Sequence, residues 1–167
     1  IYLKFPAFHW MIFLIYCTTF LDNTFNNGLP VRGAINYGEY YIKKNCFAGK
    51  PIIEGYEFSN RLEFSGCVLC KRAEEEIKPF VDSNLINSFV VKYLSPLKNN
   101  SEESLFLLNW VNHGVEKSFD LRQSLFDAFH AHNKVIPDSA LNKLNNTEKI
   151  IRYFILNDEI RDQKRSA

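Results

Sequence analysis

The stretch from Gly28 to Leu69, GLPVRGAINYGEYYIKKNCFAGKPIIEGYEFSNRLEFSGCVL, limits what this chain can fold into more than any other part of it. Two β-rich runs, Leu29 to Tyr37 and Glu39 to Ile42, meet at Gly38. They read either as two strands joined tightly there or as one long strand with a bulge. Lys43-Lys44-Asn45 is the turn beyond them. Pro51 follows Gly49-Lys50 and signals a helix start, because a proline at the first helical position loses no needed hydrogen bond. That helix is expected to run to Phe64-Ser65-Gly66, and Cys67 to Cys70 to form a short buried strand.

The flanking sequence adds helices on both sides. Ile1 to Phe5 has strand character and is stopped by Pro6. Phe8, Met11, Ile12, Ile15 and Thr19 then recur at helical spacing, and Asn26-Asn27-Gly28 supplies the stop. A helix so apolar all round must be covered on most of its surface, by its own sheet or by another subunit. Its 14-residue apolar core, Phe8 to Leu21, is too short to span a bilayer. Beyond the central stretch, Arg72 to Lys78 is a charged helical turn stopped at Pro79, followed by helix or loop over Asp82 to Ser88. Ser88 to Leu97 and Ser104 to Val111 form an antiparallel hairpin across the polar turn Lys98 to Glu103. Two helices close the chain. Ser118 to His132 has Leu121, Leu125, Ala128 and Phe129 on its apolar face, and the last helix starts at the cluster Pro137-Asp138-Ser139 with an interruption at Asn145-Asn146-Thr147 before Glu148 to Leu156.

Charge excludes some partners. With 20 basic against 19 acidic residues the net charge is +1, so no global field steers this chain to nucleic acid or to an anionic membrane. The basic end, residues 158–167, reads as a solvated tail beyond a single domain over residues 1–157. Cys17, Cys46, Cys67 and Cys70 lack the spacing of a secreted disulfide framework, which points to reduced thiols and a cytoplasmic protein. Cys67 and Cys70 form a C-x-x-C without the second ligand pair that a structural zinc needs.

Candidate chemistry centres on Gly49-Lys50-Pro51. Backbone N–H groups at a helix start attract anions, glycine lets a phosphate approach the main chain, and the lysine adds charge. The spacing is not that of a Walker A loop, and the bland reading is a turn. Arg32 within a strand, Glu39 after Gly38, and Glu54, Tyr56 and Glu57 along the helix complete the candidates; exposed acids on a helix are most often only solvated. No His stands with a carboxylate and a Ser or Cys as a hydrolase triad would need.

The helix followed by Gly28-Leu29-Pro30-Val31-Arg32-Gly33-Ala34-Ile35-Asn36-Tyr37-Gly38-Glu39, then Gly49-Lys50-Pro51-Ile52-Ile53-Glu54-Gly55-Tyr56-Glu57, then Gly66-Cys67-Val68-Leu69, resembles a divergent bacterial branch of the class III nucleotidyl cyclase domain. It is most similar to the pyrimidine cyclases of anti-phage signalling systems. Pro96-Leu97-Lys98, Leu108-Asn109-Trp110 and Asn146-Thr147-Glu148 extend the resemblance over most of the chain. The resemblance implies a ferredoxin-like α+β core with a mixed or antiparallel sheet packed with helices. It further implies a homodimer with sites at the subunit interface, and conversion of a nucleoside triphosphate to a 3′,5′-cyclic nucleotide with release of pyrophosphate. From their positions in this stretch, Arg32 and Lys50 are expected to be catalytic, and Gly49, Lys50, Glu54, Tyr56 and Glu57 to bind the nucleotide. The family's metal aspartates bind two Mg or Mn ions and precede the Phe8 helix. No Asp or Glu occurs before Asp22, so those ligands are expected upstream of Ile1 and the chain is expected to be an N-terminally truncated fragment, inactive alone. The helix also departs from the family pattern: Ile53 and Glu57 stand where purine cyclases carry Asn and Arg, leaving Arg61 or Arg32 to assist the transition state. The alternative is a non-catalytic nucleotide-binding or dimerisation module on the same fold.

Overall fold

The computed structural model describes residues 7–111 and 120–166, so the Ile1 to Phe5 strand, His113 and the start expected at Ser118 lie outside the described residues. Helix α1 (Ala7–Asn26) is followed by strand β1 (Arg32–Ile35), the short strands β2 (Tyr41–Lys43) and β3 (Cys46–Ala48), and helix α2 (Lys50–Arg61). Then come β4 (Gly66–Leu69), α3 (Lys71–Asp82), β5 (Val90–Leu97), β6 (Ser101–Leu108), α4 (Leu121–His130) and α5 (Asp138–Ser166). The described residues thus form an α+β fold with five α-helices and a four-stranded mixed sheet of order β1-β4-β6-β5. β1 and β4 pair in parallel, and the remaining neighbours are antiparallel. The chain β1–α2–β4 is therefore a βαβ unit whose two strands pair directly, whereas a split βαβ unit has another strand between them.

The Gly38 region resolves differently from both sequence readings. β2 pairs antiparallel with β3 across Lys44-Asn45, and neither pairs with β1. Lys44 takes a left-handed φ of 56°, which closes a turn too tight for the longer loop the sequence suggested. The hairpin stands out from the sheet with every strand residue exposed.

Helix α1 buries Trp10, Leu14, Thr18 and Leu21, whereas Phe8, Ile15, Tyr16 and Phe20 face solvent. The expected stripe through Phe8, Ile15 and Thr19 is thus the wrong face. In a helix apolar on every side, periodicity carries no information about which side meets the sheet. α1 packs on α3 and β6, while α4 and α5 pack together with α5 against β5. Leu14, Phe64, Val68, Leu107, Leu125, Ile151 and Phe154 are among the side chains that build the core between them.

Two expected breaks are absent, and one helix ends early. α3 continues through Pro79 for one further turn, closing with Ser83 N–H on Pro79 O; so near the C-terminus the missing donor costs little of the helix. α2 ends earlier than expected, at Arg61, with extended Leu62 as its cap. α5 runs unbroken through Asn145-Asn146-Thr147 because each polar side chain is occupied: Asn145 accepts from Arg122, Asn146 donates to Glu63 O, and Thr147 Oγ1 donates to Lys143 O. The helix also continues through residues expected to fray, where Arg161 donates to Asn87 O and pairs with Asp158. The antiparallel β5–β6 hairpin forms as expected, but β6 begins and ends three residues earlier than the Ser104 to Val111 expected, with Ser101 to Glu103 paired to β5. The apolar face of α4 is as expected, its start capped by Asp120 accepting from Arg122 and Gln123 N–H.

Candidate functional site

The parallel pair β1–β4 ends at Ile35 and Leu69, and the chain leaves both strands at the same edge. Crevices outside the carboxyl ends of parallel strands are where open α/β sheets bind ligands, because loops and helix N-termini converge there. Here β1 leads into Asn36-Tyr37-Gly38 and β4 leads through Cys70 into α3, with Cys70 N–H bonded to Ile35 O at 2.8 Å. α2 begins beside them.

Asn36 ties this edge together. Its Nδ2 donates to Pro51 O at 3.2 Å and to Glu54 Oε2 at 3.1 Å, and its Oδ1 accepts from Tyr37 N–H at 2.9 Å. Glu54 Oε1 in turn lies 3.5 Å from Lys50 Nζ, one helical turn earlier. The Cys70 thiol is pushed up to about 11 by burial and, secondarily, by the Glu54 carboxylate, and so stays neutral. Cys67 is buried within β4 and its thiol is raised further, chiefly by burial. The C-x-x-C is thus a packed pair of thiols without the lowered pKa that reactive cysteines show.

Two glycines allow the approach. A Cβ on Gly49 would fall 2.9 Å from Glu39 O and from Tyr40 Cα, so the hairpin base packs directly on the main chain at the start of α2. A Cβ on Gly38, at φ +152°, would fall 2.6 Å from Pro51 Cγ and 3.6 Å from Arg72 Nη1. Gly38 therefore marks where α2 and the Arg72 side chain of α3 meet. Gly49 caps α2 without a side-chain hydrogen bond, and Pro51 has no N–H to satisfy.

Of the residues singled out in the sequence, Gly49, Lys50 and Glu54 come together at this edge. Glu57 follows Lys50 and Glu54 on the exposed side of α2, and Tyr56 projects to solvent with 69% of its surface free. Arg32 does not join them. It opens β1, about 10 Å of strand away from Ile35, and its Nη1 donates to Leu62 O at 3.1 Å, holding the C-terminal end of α2. Arg61 lies at that end too, about 16 Å of helix from Lys50, pairing with Glu103 at 3.3 Å and covering the Phe58 ring. Asn36 and Arg72 were not read as site residues. Asn36 fell inside the strand expected over Leu29 to Tyr37, whereas β1 ends at Ile35 and its side-chain partner Glu54 lies 18 positions away.

Among the described residues no group of three or more His, Cys, Asp and Glu side chains could hold a metal ion, and no helix is long and apolar enough to cross a membrane. Comparison with protein-family models, with curated proteins and with solved structures finds no match to this chain.

Proposed function

We propose that this chain is part of a nucleotide cyclase-like domain. Such a domain forms a 3′,5′-cyclic nucleotide from a nucleoside triphosphate and releases pyrophosphate. The observation that carries the reading is the meeting of Gly38, Gly49, Lys50, Glu54 and Arg72 at the carboxyl ends of β1 and β4. Cations and a helix start gathered at that edge suit a polyphosphate. Lys50 would meet phosphate, and Glu54, steered by Asn36, would face the base. Arg32 acts on this reading as a positioning residue that anchors α2. The finer ferredoxin-like arrangement belongs to the same proposal.

The donors among the described residues do not fit a two-ion centre, since Glu54 is engaged by Lys50 and Asn36 and no group of three or more His, Cys, Asp and Glu side chains there could hold a metal ion. The reading therefore requires Mg or Mn ligands from outside this stretch, and no step is derived through them. The exposed apolar face of α1, with Phe8, Phe13, Tyr16 and Phe20, supports a homodimer.

The test is a version extended upstream of Ile1, incubated with each nucleoside triphosphate and Mn²⁺ or Mg²⁺. Cyclic product with pyrophosphate is expected, and none from any triphosphate refutes the enzyme. A second reading, a nucleotide-binding module without catalysis, is favoured by the Lys50–Glu54 pair, which turns the cation back onto its own helix. Calorimetry then shows triphosphate binding that Lys50→Ala weakens, with no turnover.

A further inference from the structure

We draw no further inference here: the strongest candidate, the exposed aromatic and aliphatic patch that the β2–β3 hairpin and the first turns of α2 present around Tyr41, Ile42, Phe47, Ile53 and Tyr56, is an unpartnered apolar face, and nothing in the structure shows what covers it.

Discussion

Thr147 offers the most direct test of how the sheet is held. It is fully buried in the middle of α5, and its Oγ1 accepts the backbone N–H of Ser65 at 2.9 Å while donating to Lys143 O at 2.6 Å. Ser65 is itself buried and immediately precedes β4. Thr147→Val keeps the shape and removes the acceptor. The Ser65 N–H is then buried without a partner, which costs about 1–3 kcal/mol. Thr147→Ser keeps the hydroxyl and deletes one methyl, a loss of about 1 kcal/mol. If the hydrogen bond is what fixes the entrance to β4, valine is the more damaging of the two although it conserves volume better.

Urea denaturation followed by far-UV circular dichroism measures the difference. With a slope of about 2 kcal/mol per molar urea for a chain of this size, a loss of about 2 kcal/mol moves the midpoint down by about 1 M for Thr147→Val and about half that for Thr147→Ser. Amide exchange supplies the local readout: protection at Ser65 N–H falls in the valine variant and is retained in the serine variant. A valine variant at least as stable as the serine variant, with Ser65 still protected, refutes the argument.

Other consequences are equally accessible. Gly49→Ala places a Cβ 2.9 Å from Glu39 O and Tyr40 Cα; at an extended φ of 168° the cost is steric alone, about 1–3 kcal/mol, and faster tryptic cleavage at Lys43-Lys44 reports the loosened hairpin. Burial alone would raise the Glu148 carboxyl, but hydrogen bonds from Arg152 and Arg122 outweigh it and leave its pKa lowered. Its contribution to joining α4 and α5 is therefore full above the ordinary glutamate pKa of about 4.3 and is lost as pH falls through the lowered value. Glu148→Gln is expected to cost about 1 kcal/mol at pH 7, and acid titrations of the two proteins converge; parallel curves would count against the pairing. With a thiol reagent at pH 8, exposed Cys46 reacts first, whereas Cys17 and Cys70, both pushed up to about 11 by burial first of all, and Cys67, raised further, react only on unfolding. Rapid labelling of Cys67 in the native protein contradicts its place in β4.

Local signals were legible in the sequence wherever one residue type decides the backbone. Pro51 after Gly49-Lys50 marks the start of α2, and the strand-like runs Ser88 to Leu97 and Ser104 to Val111 on either side of a polar turn mark the hairpin. What was not legible depends on partners distant in the chain. The break expected at Asn145-Asn146-Thr147 is absent because Arg122, Glu63 and Ser65 occupy those side chains from 23 to 83 positions away. The same holds for the site. Lys50 and Glu54 were legible as helix neighbours, but Arg32, 18 positions before Lys50, is carried to the opposite end of β1, because a strand and a helix running side by side separate residues at their far ends.

The Lys50–Glu54 pair decides how such a site could respond to a ligand. Lys50 is largely exposed, so its ion pair is a surface one, contributing about 0.3–0.5 kcal/mol at this helical spacing. An incoming phosphate can therefore draw Lys50 away at little cost. Glu54 is not released with it, since Asn36 still holds the other carboxylate oxygen while its own carbonyl oxygen is fixed by Tyr37 N–H. The lysine is thus the adjustable member and the glutamate the fixed one. Lys50→Ala should weaken triphosphate binding without moving Glu54, whereas Asn36→Ala frees the carboxylate and should alter discrimination among the four bases more than overall affinity. Equal losses for every triphosphate in the Asn36→Ala variant would show that Glu54 does not face the base.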